Sequence, residues 1–78
     1  MKMLIYSQDR KSVVWAKTLR VERNIGGGKD AKYMILACAE GIGGQVIAAT
    51  YPEEKLAMDV LEKVYAAFAD GAAVYKFD

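Results

Sequence analysis

The stretch that decides the fold is Thr50-Tyr51-Pro52-Glu53-Glu54-Lys55-Leu56-Ala57-Met58-Asp59-Val60-Leu61-Glu62-Lys63-Val64-Tyr65-Ala66-Ala67-Phe68-Ala69-Asp70-Gly71. Leu56, Val60, Leu61, Val64, Tyr65 and Phe68 recur at helical spacing, with Lys55, Asp59, Glu62 and Lys63 between them. Thr50 and Glu53 have the spacing of a capping box, in which each side chain satisfies a free backbone N–H of the first turn. Pro52 is expected in that turn, where its missing N–H is not needed. Gly71 can adopt the positive φ that closes a helix. No other segment reads as a helix, so the rest of the chain must supply a sheet for this one to cover.

Working outward, residues 45 to 50 read as a strand and residues 73 to 77 as a short last one. Residues 31 to 39 form the most apolar strand: Tyr33, Ile35 and Ala37 face one way, and Met34, Leu36 and Cys38 the other. A strand apolar on both faces is expected to be buried on both. Residues 12 to 23 read as one long strand with Val13, Trp15, Leu19 and Val21 in phase, and a possible bulge at Ala16-Lys17. Residues 2 to 6 open the chain as a short strand, followed by the polar turn Ser7-Gln8-Asp9-Arg10-Lys11. Asn24 to Asp30 is a glycine-rich hairpin loop, and Gly41-Ile42-Gly43-Gly44 a second turn. The expected architecture is α+β, a single domain over residues 1 to 78. An antiparallel meander of about five strands carries one C-terminal helix on one face and ends in a short strand.

A chain of 78 residues buries little surface by itself. Cys38 is the only cysteine, so no internal disulfide forms, and with no histidine a structural zinc site lacks its ligands. No metal or cofactor is expected. Hydrophobic residues make up 54% of the chain, and a helix covers only one sheet face, which leaves Met34, Leu36 and Cys38 as an expected interface in a homo-oligomer. The net charge of +1 argues against a dedicated DNA-binding protein. No apolar run approaches a membrane span or signal-peptide core, so the expected setting is cytoplasmic.

A plain meander sorts the loops between two ends. Residues 7–11 and 41–44 are expected beside the helix C-terminus, and residues 24–30 beside its N-terminus. At the second end Gly27 and Gly28, with Arg23 and Lys29, can turn backbone N–H groups and positive charge toward an anion. The P-loop spacing is absent, Glu53 and Glu54 oppose an anion there, and a simple hairpin tip explains the glycines better than anion binding does. At the first end Arg10 and Lys11 can meet a phosphate or carboxylate. Trp15, with Tyr33 or Tyr6, offers a wall for a stacked base, although aromatics at strand positions in so small a domain commonly fill the core.

Cys38 has no neighbouring base and reads as a structural thiol. Asp59 and Glu62, a helical turn apart between Lys55 and Lys63, read as surface charge. Without histidine there is no Ser-His-Asp or Cys-His arrangement, and the expectation is a protein that is not an enzyme.

The opening Leu4-Ile5-Tyr6-Ser7-Gln8-Asp9-Arg10-Lys11, taken together with Thr50 to Glu62, resembles small uncharacterised proteins of Gram-positive bacteria and their phages. Those chains open with a strand ending in Ser-Gln-Asp and pass through a meander to a Glu-Glu-Lys helix. The resemblance implies the same fold and a phage setting, in which proteins of this size counter host defence by sequestering a nucleotide signal or binding a host enzyme. A nucleotide ligand would draw on Arg10, Lys11, Arg23 or Lys29 for phosphates and on Trp15 or a tyrosine for the base. A protein-docking module would use the apolar face around Met34 and Leu36, or a strand edge.

Overall fold

The computed structural model describes residues 2–39 and 44–78, and the Gly41-Ile42-Gly43 part of the second turn lies outside the described residues. The chain runs β1 (Met3–Tyr6), β2 (Val13–Arg23), β3 (Tyr33–Ala39), β4 (Gln45–Tyr51), α1 (Glu54–Ala69) and β5 (Val74–Lys76). The strands form one five-stranded sheet in the order β4-β3-β2-β1-β5. The α+β class is as expected, with one difference: β5 pairs parallel to β1, so the sheet is mixed. The reason is topological. The helix carries the chain from one sheet edge to the other and ends beside the start of β1, where the Leu4 N–H meets the Ala73 carbonyl, so β5 runs in the direction of β1 and opposite to β4.

The helix also differs at its start. Thr50 and Tyr51 belong to β4, paired with Met34 and Tyr33, so the capping box does not form. Pro52 precedes the helix, and the N-cap is Glu53, which makes no side-chain capping bond. The other end is as expected. Gly71 has φ +94°, its N–H reaches the Phe68 carbonyl at 2.9 Å, and the Ala72 N–H reaches the Ala67 carbonyl at 3.0 Å. That pair of bonds is a Schellman closure.

The buried stripe of α1 is made of Ala57 and Val64, with Val60 and Ala67 packed beside them. Leu56, Tyr65 and Phe68, expected in the stripe, lie exposed along its flanks. Small residues win this position because the sheet beneath is also alanine-rich: Ala16, Ala37, Ala48 and Ala49 share the core with Met3, Ile5, Ile35 and Phe77. Two alanine-lined surfaces approach closely, and a larger side chain at the seam would hold them apart.

Lys17 decides the faces of β2. The strand bulges between Ala16 and Thr18, and one extra residue reverses which side chains point inward. Val14 and Ala16 face the helix before the bulge, and Leu19 and Val21 after it. Trp15 therefore does not share a face with Leu19, as unbroken alternation predicts. It is 53% exposed on the outer face.

The bend lets the sheet curl until its ends meet. The β1–β2 turn reaches strand β4, which is three places away in the sheet. The Gln8 N–H donates to the Ala48 carbonyl at 2.7 Å, and the Gln8 side chain bonds both backbone groups of Thr50. Residues 7–11 thus lie beside the end of β4. The helix C-terminus lies at the other end of β1, where the Leu4 N–H donates to Ala73. The expected grouping of the 7–11 turn with the helix C-terminus is overturned by this curl. The placement of the 24–30 loop near the helix N-terminus agrees with the row Arg23, Tyr33, Tyr51 across β2, β3 and β4.

Candidate functional site

The turn after β1 is a compact polar knot. Ser7 is buried; its hydroxyl donates to Asp9 Oδ1 at 2.7 Å and accepts from the Ser12 N–H at 3.1 Å. Asp9 also accepts from the Lys11 N–H at 3.0 Å. The Ser7 bond, followed by the Lys11 backbone bond, holds the Asp9 carboxyl below the usual aspartate range. Arg10 takes a left-handed φ of +65°, and its guanidinium donates to the carbonyls of Ser7 and Phe77. The same group lies 5.1 Å from the centre of the Tyr6 ring, in cation–π contact.

Strand pairing sets the outer face of the β5-β1-β2 half of the sheet. Leu4 lies between Trp15 and Val74, and Tyr6 between Val13 and Lys76. Trp15, Val13 and Val74 are each more than half exposed. Lys2 and Lys17 line the same open depression as Trp15 and Val13. Arg10 and Lys11 stand at the other end, past Val13. Among the described residues no carboxylate lies on these cross-strand rows, and no ion pair engages Lys17 or Lys76.

Charge is divided between the layers. Residues 53–71 carry five acids (Glu53, Glu54, Asp59, Glu62, Asp70) against Lys55 and Lys63, a net of −3; the chain total of +1 therefore leaves +4 for the rest. The modest net charge of the sequence is the sum of an acidic helical layer and a basic remainder.

Of the residues expected at a site, Arg10, Lys11 and Trp15 are brought to this one surface. Arg23 is not: it lies beyond the bulge on the helix-side face, its guanidinium 5.5 Å from the Tyr33 ring centre. Gly27, Gly28 and Lys29 lie past it in the hairpin loop. That loop is held by its own bonds, with Asn24 Nδ2 donating to the Ala31 carbonyl at 2.9 Å and the Asn24 N–H to Lys32 at 2.7 Å. Lys17, Lys76 and Tyr6 complete the surface. The alternation Lys11, Val13, Trp15, Lys17 was the signal in the sequence that could have found Lys17.

The outer face of the β3-β4 half is different in kind. Leu36 is 6% exposed, and Ile47 beside it is the more accessible group. Met34 and Cys38 are half-buried. Arg20 in this half is paired with Glu22. A separate apolar groove of about 300 Å³ runs along the helix flank between Leu19, Leu61, Tyr65 and Phe68. Among the described residues no group of three or more acidic, cysteine or histidine side chains is placed to hold a metal, and no helix is long and apolar enough to cross a membrane. No protein-family model, curated protein or solved structure matches the chain.

Proposed function

We propose that this protein is a non-enzymatic binding module for a nucleotide-type ligand, held on the outer face of the β5-β1-β2 half-sheet. The observation that carries the reading is Trp15, a large aromatic left 53% exposed on a face whose strands carry Lys17 and Lys76, with Arg10 and Lys11 at its turn beside the Asp9 carboxylate. An indole can stack on any base, and nearby Lys17, Lys76, Arg10 and Lys11 suit phosphate. The reading is non-enzymatic because the chain has no histidine and its helical carboxylates stand on solvated surface. In the phage setting implied by the resemblance, holding such a ligand without turnover would withdraw a nucleotide signal from host defence. A homo-oligomer would add walls that this open face lacks.

Native mass spectrometry of gently purified protein tests this, since it reads subunit number and retained ligand together. A retained or added nucleotide mass that disappears in Trp15→Ala supports the reading. No nucleotide adduct, with or without added nucleotides, overturns it.

A second reading, a protein-docking module in which a host protein is the partner, is favoured by the helix-flank groove, where Tyr65 is 69% exposed. Loss of a defined partner on Tyr65→Ala, with Trp15→Ala silent, would select it.

A further inference from the structure

We infer that the ligand of the Trp15 face is a single-stranded nucleic acid rather than a free mononucleotide. This rests on the nucleotide reading above and narrows it. The first reason is the spacing of the cations. Lys11, in the turn before β2, and Lys17, at its bulge, are six residues apart, at most roughly 20 Å at about 3.3 Å per residue, with Val13 and Trp15 between them. Lys76 lies to the side, one strand beyond Tyr6. Charges that recognise one phosphate group converge on a point, whereas these are strung out, as a polyanion requires.

The second reason is shape. The face is made of short strands and lacks a wall on the solvent side of Trp15, so a single stacked base would keep one face in water. One such contact, worth about 1–3 kcal/mol, gives a complex weaker than about millimolar. A strand laid along Lys17, Trp15, Val13 and Lys11 makes each further contact within the same complex and gains affinity with length. The Arg10 guanidinium, 5.1 Å from the centre of the Tyr6 ring, offers a second group on which a base can stack next to the Trp15 platform.

The third reason concerns strandedness and orientation. An indole on a broad sheet face can stack only a base that is free of its neighbours, so paired bases in a duplex are excluded from it. The acidic layer of residues 53–71 lies across the sheet from this face and repels a polyanion, so the strand is steered to the basic side. The low net charge that argues against DNA binding in the sequence is compatible with this, because the two layers cancel in the sum.

Trp15 is the only tryptophan, so its fluorescence reports this site alone. Titration of the intact protein compares a mononucleotide with oligothymidylates and oligouridylates of about four, eight and sixteen nucleotides, spanning the range of small single-strand sites. Quenching is expected to saturate with an affinity at least about tenfold tighter for eight nucleotides than for one, and to weaken as salt rises. Labelled oligonucleotide anisotropy then tests variants. Trp15→Phe retains binding, Trp15→Ala loses at least about tenfold, and Lys17→Ala or Lys76→Ala lowers the salt slope by roughly one each.

A mononucleotide that binds as tightly as the longer oligonucleotides overturns the strand inference and leaves the nucleotide reading standing. No quenching by any of these ligands overturns both. A duplex that competes as well as a single strand overturns the inference, and so does undiminished binding by folded Trp15→Ala. The ribose and deoxyribose series separate RNA from single-stranded DNA as the source of the chemistry.

Discussion

Gln8 and Thr50 are joined edge to edge. The Thr50 N–H donates to Gln8 Oε1 at 3.0 Å, and Gln8 Nε2 donates to the Thr50 carbonyl at 3.4 Å. A side-chain amide thus mimics a neighbouring strand along β4, and Gln8 Nε2 also reaches the Asp78 carbonyl at 3.0 Å. Through this one residue the turn after β1 ties together both ends of the curled sheet. Gln8→Ala removes these bonds and leaves partly buried backbone groups without partners, so a loss of about 2 kcal/mol is expected in denaturant unfolding. Gln8→Glu keeps the acceptor and loses the donor, and should fall between the two.

Trp15 should contribute little to stability. Trp15→Ala is expected to cost less than about 1 kcal/mol, because half of the side chain is already in water, whereas Ile35→Ala in the core should cost about 2–5 kcal/mol. Chemical denaturation of both variants gives the comparison. A Trp15 variant as damaging as the Ile35 one would mean that the indole lies in the core.

The alanine seam should resist enlargement. Ala57 has no exposed surface and faces a sheet lined with small residues. Ala57→Leu should destabilise by about 1–3 kcal/mol through overpacking, while Met58→Leu, on the exposed side of the same helix, should be nearly neutral. Thermal unfolding followed by circular dichroism reads both.

The hairpin loop has its own steric signature. A Cβ at Gly27 would fall 2.2 Å from the Ala31 carbonyl oxygen and 2.3 Å from Asn24 Nδ2, within the region that the loop's own hydrogen bond occupies. Gly27→Ala should therefore lower stability by about 1–3 kcal/mol. An Asn24→Ala variant should lose part of the same stability, and the double variant should be less than additive.

Stability should fall at both ends of the pH scale. Asp9 titrates below its ordinary value, so its contribution is complete above about pH 4 and is lost as pH falls through its lower folded value. Asp9→Asn should flatten that acid limb. Burial, followed by the negative charge that Tyr75 and Asp78 would place nearby, pushes the Tyr51 hydroxyl up. Its folded value thus lies above the unfolded one, so stability is held up to about pH 10 and falls as pH rises beyond it. Tyr51→Phe should reduce the alkaline fall, as read by denaturant midpoints across the pH range.

Residue pattern alone determined the helix and its Schellman end at Gly71, the strands, the α+β class and the two faces of β3, because these follow from periodicity and from glycine's access to positive φ. The Ser7-Gln8-Asp9 run stood out as a motif, but its task was not legible. Ser7 and Asp9 bond locally, whereas Gln8 acts on a strand 42 residues away, and no local rule encodes that distance. The candidate site was half legible: Arg10, Lys11 and Trp15 were singled out from their chemistry, but so were Arg23 and the loop glycines that the fold places elsewhere. Only the tertiary structure decided which face of the sheet each residue joins. A single extra residue in β2 reverses its phase at Lys17, and the pairing of β2 with two different neighbours on either side of that point leaves Trp15 on the outer face and turns Leu19 toward the core.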